Sequence, residues 1–311
     1  MGVNFIIPGL YEHYPLNFNL LKLMEEHPEY FYDDVKVSAV YGNFQFCIFD
    51  GGRIFSQYRH TTKEEIDMVV STYNNVFQVP VRLVFTNTEL EPKHYLNRFG
   101  NVVLQLCENS MNEIVVNNEQ FEEYLRENYP SYSFISSTTK CLNTPNLFKE
   151  ELDKQKYKMI CLDYNLNKNQ KLLDEIPPEA RGQCEFLVNA ICPPGCPNRK
   201  EHYKLNSLYS LSYGEPYSIQ NCPISVCTLH PDLRFGKNNL TPEEIYEKYV
   251  PNGYNLFKLE GRTLSLMENA SNYAYYMAKP EYRQLVVSLL LNNDTLSKSE
   301  YTLGYFVKYL Q

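Results

Sequence analysis

The residues of this chain best suited to chemistry are cysteines. Cys192-Pro193-Pro194-Gly195-Cys196-Pro197 puts two thiols, three prolines and a glycine into six positions. Proline fixes the direction of the backbone, and glycine permits a positive backbone angle or a close approach. The expected result is a rigid loop presenting two sulfurs to one place. Cys222 and Cys227 follow, and Cys47 lies near the start of the chain. Thiolates grouped in this way hold metals or act as nucleophiles. A zinc site would use C-x2-C pairs, and neither C-x3-C at 192–196 nor C-x4-C at 222–227 has that spacing. A 4Fe–4S cluster spans more volume, tolerates wider spacing and takes four thiolates. On this reading Cys192 and Cys196 are the firm pair and Cys222 is the third ligand. Cys47 and Cys227 compete for the fourth place. Without a metal, the same residues are ordinary loop thiols.

The elements that must position this loop alternate along the chain. Strand-length apolar runs fall at 4–9, 35–42, 81–87, 113–117, 132–138, 158–163, 184–191 and 255–262. Helical patterns separate them at 18–31, 62–76, 92–108, 118–128, 147–155, 170–175, 200–212 and from 241. Thr62-Lys63-Glu64-Glu65 has the capping-box pattern, and Thr241-Pro242-Glu243-Glu244 is a strong helix start. Strands alternating with helices predict a parallel sheet. Eight units over roughly 260 residues predict a TIM-type (β/α) barrel, with an open doubly wound sheet as the alternative. One domain over 1–311 is expected, with a cysteine-bearing insertion at about 192–240. A helical tail follows from about 263, interrupted near Pro280.

In such barrels chemistry gathers at the carboxyl ends of the strands. Those ends carry Asn87, Asn117, Lys140, Asn165 and Asn189 as candidate substrate-binding groups. Asp163, Glu260 and Arg262 are the candidate catalytic groups. Glu260 and Arg262 straddle Gly261, so alternation puts them on one face, as a local ion pair or as a carboxylate-binding pair. The plain alternative for each Asn is that it bonds turn backbone.

Composition narrows the function class. The formal net charge is −8, which argues against an extensive nucleic-acid footprint. No apolar run has membrane-spanning length, and the N-terminus lacks signal-peptide features. A cytoplasmic protein acting on a small molecule is expected. The 27 Tyr and absence of Trp fit an AT-rich coding bias as readily as any function.

The C-x3-C spacing matches the opening of the radical-SAM motif, but Arg199 stands where its third cysteine belongs, and that family is set aside. The stretch Glu185-Phe186-Leu187-Val188-Asn189-Ala190-Ile191-Cys192, with Tyr41-Gly42-Asn43 and the strand–helix repeat, resembles the collagenase-like peptidase family U-32. The resemblance implies a barrel-like domain with a 4Fe–4S cluster on four cysteines. It also implies oxygen-independent hydroxylation of RNA bases or quinone precursors, with an electron donor or partner subunit. This chain departs from the pattern in the spacing of its first two cysteines and in lacking the accessory domain of the RNA-directed members. Two other readings stand beside the redox enzyme. One is a hydrolase without a cluster. The other is a non-catalytic barrel subunit with a structural metal centre.

Overall fold

Eight short strands close into a barrel in the computed structural model, which describes residues 2–53, 61–212 and 236–291. They are β1 (Val3–Pro8), β2 (Val35–Gly42), β3 (Val81–Phe85), β4 (Glu113–Val116), β5 (Ser133–Ser136), β6 (Met159–Leu162), β7 (Cys184–Leu187) and β8 (Leu256–Lys258). Each pairs in parallel with its sequence neighbour, and β8 pairs back onto β1 through Asn4–Leu256, Phe5–Phe257 and Ile6–Lys258. The expected TIM-type barrel is therefore the fold, as a single domain, and the open sheet is excluded by the β1–β8 pairing.

Strand alternation divides the side chains between two layers. Phe5, Ile7, Val81, Leu83, Phe85, Ile114, Val116, Phe186 and Phe257 turn outward and pack with the helices in the main core. Each such side chain contributes about 1.5–3 kcal/mol on burial. The opposite set, Ile6, Ala39, Tyr41, Val84 and Leu256, fills the barrel interior. The same inward alternation brings in Arg82, Glu113, Glu185 and Lys258, all buried.

Local signals hold where they are strong. Thr62, Thr241 and Ser265 each close a capping box. The last two described helices, Leu266–Met277 and Arg283–Leu291, are separated by a 3-10 turn at Pro280–Tyr282, as a proline that cannot extend the helical ladder requires. The helix expected over part of 92–108 is met by two, Pro92–Tyr95 and Arg98–Cys107, the second capped by Asn97. Several strands end before their apolar runs do. Around β7 and β8 a side chain takes over the pairing. Asn189 Nδ2 donates to the Glu260 carbonyl at 2.9 Å, and Asn189 Oδ1 accepts from the Glu260 N–H at 2.7 Å. Among the described residues, no helix is long and apolar enough to cross a membrane.

Candidate functional site

The carboxyl ends of the strands open into a cleft with about 590 Å³ of free space, part of it open to solvent. Its floor is Tyr41, Val84, Val115, Leu187 and Lys258. Thr86, Ser137, Thr138 and Thr139 add hydroxyls. Arg53, Glu260, Arg262, Arg199, Tyr164, Tyr203 and Cys192 form the walls and rim.

Three arginines at this mouth each meet a carboxylate. Arg53 pairs with Glu260, Arg262 with Asp50 and Arg199 with Asp163. Burial works against the charge of Arg262, but Asp50 and Glu12 outweigh it and hold its proton more tightly than usual. Glu260 and Arg262 both line the cleft, as alternation predicts, yet they do not pair with each other. Each reaches instead into the loop Asp50-Gly51-Gly52-Arg53. That loop packs closely. A Cβ on Gly51 would lie 2.6 Å from the Asn87 Cα and would overlap the Ser207 hydroxyl.

Beneath the cleft runs an ionic chain. Lys258 Nζ lies 3.5 Å from Glu185 Oε1, and Arg82 bridges Glu185 to Glu113, the latter at 2.7 Å from its Nε. Lys158 closes the far end at 2.6 Å from Glu113. Burial pushes the Glu185 carboxyl upward, but Arg82 and Lys258 reverse this and hold it below the ordinary range.

The cysteine loop sits on the rim, braced from β6 and β8. Glu260 Oε2 accepts from the Ile191 N–H at 2.9 Å, directly before Cys192. The Tyr164 hydroxyl donates to the Pro193 carbonyl at 3.2 Å, and Asn165 Oδ1 accepts from the Gly195 N–H at 2.8 Å. Gly195 has φ of +68°, a conformation that favours glycine. Just past the loop, Arg199 opens the helix Arg199–Leu211. Its guanidinium donates to the Thr138 carbonyl at 2.9 Å and hydroxyl at 2.7 Å, and lies over the Tyr164 ring at 4.4 Å. Cys192 and Cys196 are both free and partly exposed, and Cys192 lines the cleft.

The other cysteines fare differently. Cys47 is buried among Phe44, Ile48 and Phe49 in the outer core and does not line the cleft. Burial pushes its thiol up to about 12. Cys222 and Cys227 lie outside the described residues. Among the described residues, no three His, Cys, Asp or Glu side chains are grouped so as to hold a metal ion. Cys141, which sequence reasoning passed over, follows β5 and lies within electrostatic reach of Cys192 and Arg199. Its thiol is raised mainly by burial.

The polar strand ends serve mostly as braces. Asn87 donates to the carbonyls of Ile48 (2.7 Å) and Ser207 (3.1 Å), tying the 50–53 loop to the Arg199–Leu211 helix. Asn117 donates to Thr139 Oγ1 at 2.7 Å. Lys140 turns into the helix layer, to Glu151 at 2.6 Å and the Tyr157 hydroxyl at 2.7 Å, away from the cleft. Asn165 and Asp163 hold the cysteine loop and its helix, and Asn189 splices β7 to β8. The groups that sequence reasoning missed are Arg53, Thr86, Arg199, Tyr203 and Lys258. Lys258 had a signal, since it precedes Glu260 and Arg262 at the same two-residue interval. Arg199 and Thr86 had none, because only barrel closure brings them to the cleft.

The fold matches the solved structure of the U32 peptidase Mk0906, with a TM-score of 0.51 and 15% sequence identity over 84% of this chain and 93% of that one. The resemblance expected from the sequence is thus met in the fold. No family model matches the sequence, and no curated protein matches it.

Proposed function

We propose that this protein is a redox enzyme whose active site is the barrel mouth, with an iron–sulfur cluster held on the cysteine loop, of the oxygen-independent hydroxylase type. One observation carries the reading. The loop pair is braced from two strand ends and places Cys192 on the wall of the cleft. Two accessible thiols on a fixed loop suit one edge of a cluster. Cys47 does not suit it, because its side chain is buried in the outer core and does not line the cleft. Cys222 and Cys227, the other cysteines the sequence offers for the cluster, lie outside the described residues.

When bound, such a cluster supplies one-electron chemistry, tuned by burial and by hydrogen bonds to sulfur. The chain's own residues have separate tasks. Asp163 and Glu260 are positioning residues. Asp163 anchors Arg199, and Glu260 anchors Ile191 and Arg53. Lys258 brings a cation to the floor of the cleft, Arg262 is held by Asp50, and Tyr164 and Tyr203 wall the cleft beside Cys192.

The name of the structural neighbour raises peptide hydrolysis as a second role. Among the described residues lining the cleft there is one thiol and one carboxylate, and no histidine to act as a base for Cys192. The redox reading is favoured for that reason. Its test is a visible spectrum of protein purified without oxygen. Broad absorption in the blue region that bleaches on reduction is expected. A colourless protein that cleaves peptides and is blocked by thiol reagents would overturn it.

A further inference from the structure

The ionic chain inside the barrel holds one of its buried cations loosely. Arg82, Lys158 and Lys258 supply three positive charges, while Glu113 and Glu185 supply two negative ones. Lys158 is 46% exposed and is screened by water. Lys258 is not, since its side chain is 7% exposed. Its nearest carboxylate, Glu185, is hydrogen-bonded by Arg82 through Oε2, while Glu185 Oε1, 3.5 Å from Lys258 Nζ, has no hydrogen-bond partner. The Lys258 ammonium lies 4.2 Å from the centre of the Tyr41 ring and faces the cleft. The three arginines at the mouth each have a carboxylate. Lys258 is therefore the loosely held cation at the floor of the cleft, 3.5 Å from its carboxylate where each arginine of the mouth is hydrogen-bonded to or in contact with its own.

A second group points into the same space. The Thr86 hydroxyl is buried, with 1% of the residue exposed, and has no hydrogen-bond partner. It borders the cleft beside Gly52, where an added Cβ would lie 3.2 Å from both Thr86 Oγ1 and Arg262 Nη2. A glycine there keeps this corner open. A buried ammonium held only loosely by its carboxylate and a buried hydroxyl with no acceptor have one common remedy, a ligand oxygen carrying negative charge.

We propose that the cleft floor binds the oxyanion of a small ligand, a carboxylate or a phosphate, with Lys258 as its charge partner and Thr86 as its hydrogen-bond donor. This names the substrate class of the site described above and rests on the reading that the barrel mouth is the active site. Tyr41 and Tyr164 line the same cleft and would border the rest of the ligand.

The experiment is a calorimetric titration of the full chain with benzoate, phenyl phosphate and benzyl alcohol, with iron measured on the same sample. At least one anion is expected to bind about tenfold or more tightly than the alcohol, and the two anions distinguish carboxylate from phosphate recognition. Lys258→Met is expected to weaken that anion about tenfold or more, and the near-isosteric Thr86→Val by several-fold, with the alcohol unaffected. Anions that bind no better than the alcohol overturn the proposal, as does unchanged anion affinity in either folded variant. Should Lys258→Met not fold, Thr86→Val decides alone. Binding is read without turnover, so the two proposals fail separately. Iron-free protein that binds the anion counts against the cluster alone. Iron-loaded protein that does not bind it counts against the oxyanion site alone.

Discussion

Arg199 and Asp163 form a buried ion pair that joins the first turn after the cysteine loop to the end of β6. Both side chains are at most 5% exposed, so neither charge has water to fall back on. Arg199→Met strands the Asp163 carboxylate and is expected to destabilise the fold by about 3–5 kcal/mol. The double variant with Asp163→Asn should recover most of that loss. Chemical denaturation followed by circular dichroism checks both, since the chain has no Trp to report fluorescence. Equal losses in the single and double variants would show that the pair does not act as a unit.

Glu12 gives the site a pH dependence. Its carboxylate oxygens are buried without hydrogen-bond partners. Burial raises its pKa to about 7, against the opposing pull of Arg262. An acid raised in the folded state binds its proton more tightly there than in the unfolded chain. Its contribution is therefore a loss of stability as pH rises from about 4.5, the unfolded value, through about 7. Thermal melts of Glu12→Gln against the parent across that window should show the variant gaining relative stability toward pH 8. Parallel curves would rule out the buried acid.

Gly51 tests how tightly the mouth is built. Its neighbours are the backbone of Asn87 and the hydroxyl of Ser207 on the Arg199–Leu211 helix. Backbone cannot yield as a flexible side chain can. Gly51→Ala is expected to cost about 1–3 kcal/mol and to shift Asp50 and Arg53 from their partners. Denaturation measures the first effect, and amide exchange at Asn87 and Thr88 reports the second. An unperturbed variant would mean that the loop adapts freely.

The barrel itself was legible because its signals are local. Strand-length apolar runs, proline and glycine breaks, and the capping boxes at Thr62 and Thr241 all act within a few residues. Counting eight strands then carried the architecture, and the β1–β8 pairing completed it. The site was less legible because its geometry is set at long range. Asn87 and Asn189 read as pocket-lining amides, yet they are spent on backbone groups that the shortened strands leave open. Lys140 stands at a strand end, yet Glu151 and Tyr157 draw it into the helix layer. Cys47 follows β2 much as Cys192 follows β7, but Phe44 and Phe49 carry its turn into the outer core. Thr86 and Lys258 come to line one cleft only because β3 and β8 belong to the same closed barrel.

The most direct test of the central proposal is the iron and sulfide content of protein prepared without oxygen, compared across Cys192→Ser and Cys47→Ala. The account predicts about four iron and four sulfide per parent chain, lost in Cys192→Ser and kept in Cys47→Ala. Parent protein without iron would contradict it, and so would a cluster that survives Cys192→Ser but is lost with Cys47.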